Sequence, residues 1–193
     1  DPIGLAQQKA EQAEVVKRLS AKINAAADID DILLDLHKEI LGIFDAEDLT
    51  LYAVDAEKKE IVAKQPGLDS VEVTRLPITE QSLPGFTAKY LRPVNIVDAY
   101  NPSELASVHP ALTFDTTSDK KTGFRTKQVL TYPIVAENKY LMGVIQLLNK
   151  KTGSRFTRKD EEFVAEIAKA LGAAFHNLGK RSKKAPSKYD YLL

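Results

Sequence analysis

The chain has 193 residues, 44% of them apolar, which is enough for one domain with extensions and a hydrophobic core. Its 27 basic and 27 acidic residues balance, so neither nucleic acid nor an anionic membrane surface is an expected partner. The absence of cysteine excludes disulfides, thiol nucleophiles and thiolate metal ligands. No apolar run is long enough to cross a bilayer and no signal peptide is visible, so we expect a cytoplasmic protein without membrane insertion.

Two helices are predicted before the first strand, and the first covers residues 5–27. Its narrow apolar stripe consists of Val15, Val16, Leu19 and Ile23. We interpret residues 1–27 as a connecting helix. The stripe is too narrow for a helix inside its own domain, which favours a homodimer through the terminal helices. The alternative is that this helix folds back on its own domain.

The second helix is predicted to begin after Asp28, which can cap its first turn. Apolar residues recur there at intervals of three and four and give the helix a broad buried face. That face consists of Ile29, Ile32, Leu33, Leu36, Ile40, Ile43 and Phe44. We expect the domain proper to extend over residues 28–178.

Six strands are predicted from alternating or short apolar segments that turns separate. They cover residues 48–55, 60–65, 70–78, 93–100, 129–137 and 140–150. Because the turns within each hairpin are short, we expect a central antiparallel sheet and an α+β fold. A short helix is predicted around Pro84. The long polar segment 101–126 holds a candidate helix near Glu104, and loops of this length usually have a function or are mobile.

The last helix is predicted to begin at Thr157, with Asp160 at its third position, and to end at Gly179. Its apolar face consists of Phe163, Val164, Ile167, Leu171, Phe175 and Leu178. We expect the terminal helices to cover one face of the sheet. The other face is left for the short helices and loops, which would enclose a ligand pocket.

Motifs for catalysis or metal binding are not found in the sequence. His37, His109 and His176 do not share a metal-ligand spacing, and no nucleophile or phosphate-loop motif is present. Neighbouring carboxylates such as Glu161 and Glu162 are typical of a helix first turn. We therefore expect no catalytic residue and no metal site.

Three features remain after this search. Gln146 is a lone amide among apolar residues of a strand, and it either bonds the nearby backbone or contacts a ligand. Two hydroxyl residues, Thr122 and Thr126, flank a glycine turn, which is either a hydrogen-bonded turn or part of a site. The third is the run from Asn149 to Glu161, where an amide, an ammonium, a ring and two carboxylates lie between a strand and a helix.

Together these features resemble the GAF domain, a regulatory ligand-binding module, and most closely the GAF domains of cyclic-nucleotide phosphodiesterases and related adenylyl cyclases. The family signature N-K, F, three residues, D-E is complete here. It consists of Asn149, Lys150, Phe156, Asp160 and Glu161. The segments "PVNIVDAY" and "KKTGFRTKQVLTYPI" also match. The resemblance implies a six-stranded GAF sheet and an ion pair between Lys150 and Asp160 that fixes the last helix, so we interpret the signature as structural.

Some pocket positions match those of cyclic-nucleotide GAF domains and others differ. The matching pocket positions are Ser82, Leu83, Pro84, Asp119, Thr122, Thr126 and Gln146. Pro84 has no N–H for a phosphate, and Gln65-Pro66 stand where the family has a phenylalanine and an aspartate. Gln146 replaces a glutamate. The resemblance leaves cAMP or cGMP, another small ligand, or no ligand as alternatives, and His109 as the candidate if haem were bound.

The resemblance therefore implies a non-catalytic sensor or regulatory module that binds a small ligand and signals to an attached effector domain. The alternative is a structural GAF domain for dimerisation or protein interaction, with no ligand. Catalytic GAF-fold reductases rely on cysteines that this chain lacks. Residues 179–193 are predicted to be a basic linker. Their end, "KAPSKYDYLL", resembles the entry to the N-terminal domain of type II secretion and type IV pilus ATPases; a phosphodiesterase, cyclase or sensor kinase is the other expected host.

Overall fold

The computed structural model describes residues 1–181. Within this range the strands are β1 Ala46–Asp55, β2 Glu60–Pro66, β3 Val71–Pro77, β4 Val94–Ile96, β5 Val129–Val135 and β6 Leu141–Lys150. The α-helices are α1 Pro2–Asn24, α2 His37–Gly42, α3 Leu83–Tyr90, α4 Pro102–Val108, α5 Thr117–Thr122 and α6 Arg158–Arg181. A π-helical turn, Asp31–Asp35, precedes α2. Predicted residues 182–193 of the basic linker lie outside the described residues.

The strands form one six-stranded antiparallel sheet in the order β3-β2-β1-β6-β5-β4. Strand β6 lies at the centre, where Gln146 pairs with Thr50 of β1 and with Thr131 of β5. Successive residues of a strand point to opposite faces, so Ile145 and Leu147 face away from Gln146. The predicted α+β class and the antiparallel sheet are confirmed.

The terminal helices cover one face of this sheet and form the main core with it. Leu19 and Ile23 of α1 are 4% and 0% exposed and pack in the same cluster as Phe175 and Leu178 of α6. Helix α1 therefore folds back on its own domain, which was the alternative interpretation. The apolar stripe is therefore no evidence for a dimer, because Leu19 and Ile23 are buried within a single chain.

Close approach of α6 to the sheet depends on small residues. A Cβ atom at Gly172 of α6 would meet the carbonyl oxygen of Val135 at less than 3 Å. One at Gly143 of β6 would lie 3.3 Å from the Phe175 ring of α6 and less than 3 Å from the carbonyl oxygen of Tyr52 on the neighbouring strand. Ile32, Ile40, Ile167 and Leu171, predicted for this core, are 0% exposed. Leu36 and Phe163 are partly buried and pack against it.

Two predicted helix boundaries are wrong. The second helix is not continuous, because the π-helical turn ends at Asp35 and α2 begins only at His37. Asp28 does bond the N–H of Asp31, at 2.8 Å, as a capping residue would. Gly179 does not end the last helix, which continues through Arg181.

The opposite face carries α3, α4 and α5, of which α5 was not predicted. Two apolar clusters fill much of the space under this layer. The cluster nearer β4 consists of Leu83, Phe86, Val94, Ile96, Ala99, Leu105, Leu112 and Val129. The cluster nearer β2 consists of Tyr52, Ile61, Ala63, Ala88 and Val144. The polar residues in the middle of this face separate the two clusters.

Candidate functional site

The end of β6 is held to the start of α6 by a shared ammonium group. Lys150 Nζ contacts Asp160 Oδ2 at 2.8 Å and Asp45 Oδ2 at 2.9 Å, and the Lys150 side chain is 9% exposed. Hydrogen bonds from Thr152 and Lys150 hold the pKa of Asp45 below its usual value. Burial alone would lower the pKa of Lys150, but its bonds to Asp160 and Asp45 outweigh this effect and raise it. This corner joins three elements, since Asp45 immediately precedes β1.

The remaining signature residues complete the same corner. Phe156 is 1% exposed in the main core. Its carbonyl oxygen accepts a hydrogen bond from the Asn95 amide at 2.8 Å, and Glu161 Oε1 lies 3.5 Å from the same nitrogen. Thr157 caps α6, because its Oγ1 accepts from the N–H of Asp160 while Asp160 Oδ2 accepts from the N–H of Thr157. These contacts hold α6 against β4 and β6.

Asn149 fixes the chain that leads from α5 into β5. Its backbone is left-handed, with φ of 59°, a conformation that asparagine tolerates better than most residues. Its Oδ1 accepts from the N–H of Lys127 at 2.6 Å, and its Nδ2 donates to the carbonyl of Arg125 at 2.8 Å. A third bond reaches Glu47 on β1. Asn149 thus ties the long segment over the sheet to the signature corner.

Asp119 and Thr126 form a latch inside that segment. Asp119 accepts from the backbone N–H and the hydroxyl of Thr126, at 2.8 and 2.9 Å, and from the Tyr100 hydroxyl at 2.6 Å. Burial would raise the pKa of Asp119, but the bonds from Tyr100 and Thr126 prevail and lower it. The Arg125 guanidinium lies 3.6 Å from the centre of the Tyr100 ring. These two predicted ligand residues are therefore in contact with each other.

Thr122 is not brought to the sheet with them. It is exposed, its hydroxyl donates to the carbonyl of Ser118, and it accepts from the N–H of Phe124. Its role in this arrangement is to close the last turn of α5, before Gly123 in its left-handed conformation. The interpretation as a hydrogen-bonded turn fits Thr122 better than pocket lining.

The start of α3, predicted to present backbone amides to a phosphate, is bonded within the chain. The Ser82 hydroxyl accepts from the N–H of Gly85 at 3.0 Å, and the Ser82 carbonyl accepts from the N–H of Phe86 at 2.8 Å. Leu83, Pro84 and Gly85 are all buried. The carbonyl oxygens of Pro77 and Thr79 lie so close that a Cβ on Gly85 would meet both at less than 3 Å.

A row of uncharged polar side chains crosses the middle of the same sheet face. We call Thr50, Gln146, Thr131 and Thr87 the polar floor. Thr87 of α3 and Thr131 of β5 are 0% exposed, and their hydroxyl oxygens are 2.5 Å apart. Gln146 is only partly buried, and its one hydrogen bond with a described residue is a long one of 3.5 Å to Thr50 Oγ1. Its amide is therefore the least satisfied group of the floor.

Tyr52 adjoins the polar floor, two residues beyond Thr50 on β1 and on the same face. It is 5% exposed, and burial raises the pKa of its hydroxyl above the usual range. Among the described residues, no side chain or backbone group forms a hydrogen bond with this hydroxyl. A hydroxyl that forms no hydrogen bond within the protein is available to a ligand, so Tyr52 is a candidate ligand contact.

Gln65 and Pro66, which stand where the family has a phenylalanine and an aspartate, are the last two residues of β2. Both are exposed. Pro66 borders a groove of about 310 Å³ between the π-helical turn and the β2–β3 loop, which also includes Leu34, Asp35 and Leu68. Neither Gln65 nor Pro66 forms a hydrogen bond with the Gln146 side chain, whose bond is to Thr50.

The histidines are separated from one another. His37 Nε2 lies 2.7 Å from the carbonyl of Leu49, and His109 stacks on Tyr90 while its Nδ1 accepts from the N–H of Ala111. In residues 1–181 there is no group of three or more histidine and acidic side chains that could hold a metal ion. None of the helices in the same range is long and apolar enough to cross a membrane.

Sequence reasoning missed several contributors to these contacts. Asp45, Tyr100, Asn95, Thr50 and Tyr52 were not singled out. Asp45 is 105 residues from its partner Lys150, and Asn95 is 61 residues from Phe156, so no local spacing pairs them. Thr50 and Tyr52 alternate regularly on β1 and had no distinguishing motif. The register of β1 with β6, once predicted, would have identified both.

Comparison with known proteins identifies the family. The model of the GAF domain matches residues 28–175. The chain is 26% identical over 178 residues to "Probable 3',5'-cyclic phosphodiesterase pde-5" of Caenorhabditis elegans, which covers 86% of this chain and 23% of that protein. The chain thus spans less than a quarter of that relative's length.

Solved structures share the fold at lower identity. The GAF domain from a phosphoenolpyruvate-protein phosphotransferase of Coxiella burnetii superposes with a TM-score of 0.68 at 18% identity, over 89% of this chain and 96% of that one. Free methionine-R-sulfoxide reductase from Neisseria meningitidis, solved with its substrate, gives 0.65 at 18% identity, over 90% and 93%. One of these similar structures is thus an enzyme.

Proposed function

Since the chain belongs to the GAF domain family, whose members generally act as ligand-binding regulatory modules and are typically not catalysts, we propose that it is a non-catalytic sensor. A small ligand at the polar floor changes the packing of the terminal helices, and an attached effector domain responds to that change. The absence of cysteine supports a role other than that of the reductases with this fold. The relatives in which the domain is a minor part of a longer chain support an attached effector.

The observation that best supports this proposal is that one strand, β6, contributes residues to both faces of the sheet. Gln146 belongs to the polar floor, whereas its neighbours Ile145 and Leu147 are 0% and 1% exposed in the core with α1 and α6. A ligand that moves Gln146 also moves these neighbours. Close-packed cores do not deform continuously, so a small shift of β6 favours one of two discrete packings of the helices.

A thermal-shift screen tests whether a ligand binds. The compounds are cAMP, cGMP, nucleosides and common uncharged metabolites at millimolar concentration. A ligand at a hundred times its Kd adds about 2.7 kcal/mol to the free energy of unfolding and raises Tm. We expect at least one compound to do so in the wild type and none in Gln146→Leu. If no compound raises Tm, the ligand-binding proposal is wrong.

A second candidate function is a structural GAF domain with no ligand. The observation in its favour is the direct contact of Thr87 with Thr131, which holds α3 on the sheet between the two apolar clusters. In that case Thr87→Val with Thr131→Val leaves the interactions of the domain with its partners unchanged. The same double substitution alters ligand affinity if the sensor proposal is correct.

We also propose, as finer points, a homodimer and a host. The exposed apolar residues Ile3 and Leu5 at the start of α1, 72% and 45% exposed, favour a dimer contact there. Light scattering on the wild type and on Leu5→Glu tests this, and a monomer in both contradicts it. A secretion or pilus ATPase remains the proposed host on the resemblance of residues 184–193, which lie outside the described residues.

A further inference from the structure

A ligand with a phosphate group requires more hydrogen-bond donors than the start of α3 offers. Phosphate oxygens in proteins are bound by free backbone N–H groups at a helix start or by arginine and lysine. At the start of α3, Pro84 has no N–H, and the N–H groups of Gly85 and Phe86 are already bonded to Ser82, which leaves the Leu83 N–H as the one donor of this turn for a ligand.

The surroundings of the α3 start are also electronegative. The carbonyl oxygens of Pro77 and Thr79 and the hydroxyl oxygen of Ser82 surround Gly85 at distances that would exclude even a methyl group. An anion placed there would meet the lone pairs of three oxygen atoms, and in exchange for its water it would gain only the Leu83 N–H as a backbone donor from the first turn of α3. Burying an unpaired charge is among the most costly changes in a protein.

The polar floor and its neighbour Tyr52 have the opposite character. Thr50, Gln146 and Tyr52 offer hydroxyl and amide groups, which both donate and accept hydrogen bonds and carry no charge. The charged side chain nearest to them along β1, on the same face, is the carboxylate of Asp48. It repels an anion, and its Oδ1 accepts from the N–H of Leu49.

From these contacts we infer that the ligand of this domain is an uncharged molecule with hydrogen-bond donors and acceptors, bound by Thr50, Gln146 and the Tyr52 hydroxyl, and that phosphate-bearing ligands such as cyclic nucleotides are rejected. This inference rests on the proposed sensor function and names its ligand class. Gln146 is the specificity-determining residue, because its amide lacks a short hydrogen bond to any described residue.

The test compares matched ligands by NMR on the intact chain. The pairs are adenosine with cAMP, guanosine with cGMP, glucose with glucose 6-phosphate, and glycerol with glycerol 3-phosphate. The readouts are the shift of the Gln146 side-chain amide resonance and Tm. Gln146→Leu is the test variant. Gln128→Leu is its matched control, because that amide lies immediately before β5 and donates to the carbonyl of Ser154.

We expect an uncharged member of at least one pair to bind saturably, and its phosphorylated counterpart to bind at least tenfold more weakly. Binding should be lost in Gln146→Leu and kept in Gln128→Leu. If a phosphorylated member binds as tightly as its counterpart, the inference is wrong and the sensor proposal stands. If no compound binds, the sensor proposal is wrong, and the inference about its ligand class is wrong as well.

Discussion

Removal of the Lys150 ammonium should destabilise the domain more than any other change of a single charge at the signature corner. In Lys150→Met, Asp45 and Asp160 lose their common partner. Both carboxylates contact one nitrogen atom, at 2.9 and 2.8 Å, so their oxygens lie within about 5.7 Å of each other. Two like charges at that distance repel by about 3 kcal/mol at an effective dielectric constant of 20.

The loss of a partner from a fully buried ion pair costs about 3–5 kcal/mol. Here Asp45 and Asp160 keep 31% and 21% of their side-chain surface exposed, so water compensates part of the loss. We therefore expect the free energy of unfolding at pH 7 to fall by about 2–3 kcal/mol. Asp45→Asn added to Lys150→Met should recover about 1 kcal/mol, because it removes the repulsion.

The assay is urea unfolding followed by circular dichroism, with Lys151→Met as the matched control on the neighbouring, exposed residue. The pH dependence gives a second readout. The pKa of Asp45 is lowered on folding, so its contribution is present above about pH 4 and is lost as pH falls through the folded pKa. The difference between wild type and Lys150→Met should therefore shrink in acid. Equal midpoints for Lys150→Met and Lys151→Met would refute this reasoning.

Three further substitutions test other contacts. Asn149→Gly keeps the left-handed backbone but removes the side-chain hydrogen bonds, so the free energy of unfolding should fall by about 1–2 kcal/mol and amide exchange at Lys127 should accelerate. An unchanged exchange rate would contradict the role of Asn149 in holding the segment before β5. Gly143→Ala should cost about 1–3 kcal/mol by forcing the Tyr52 carbonyl away, whereas Gly42→Ala, with open space around it, should cost nothing measurable; similar Tm values for both would contradict the close approach. Ile167→Ala should cost about 3 kcal/mol or more and Leu36→Ala less, since only Ile167 is fully buried; the reverse order in urea would be inconsistent with the core.

Much of the fold follows from local patterns in the sequence. Alternating residues identified the strands, and apolar residues at intervals of three and four identified the buried faces of the terminal helices. The break at Leu36 was not predicted, because the apolar pattern continues through it. Helix α5 was missed because its sequence, "TSDKKT", has no apolar face and none of its residues is buried.

The candidate site was less predictable than the fold. The signature residues were identified together with the Lys150 and Asp160 pair, because their spacing is local and the family resemblance is specific. The second carboxylate, Asp45, was not, because sheet pairing brings it from 105 residues away. The resemblance also suggested Asp119 and Thr126 as ligand contacts, whereas in the structure they satisfy each other. Which polar groups lack a hydrogen-bond partner can be determined only once the packing is known.

The central claim is that the polar floor and the terminal helices are coupled through the sheet. Amide hydrogen exchange of α1 residues 18–24, measured with and without a saturating ligand from the screen, tests it most directly. Couplings between sites are typically about 1–3 kcal/mol, so we expect the opening free energy of these amides to change by about 1 kcal/mol or more, and not to change in Gln146→Leu. Exchange that changes only in α3 and β6, with α1 unaffected at full occupancy, would contradict the account.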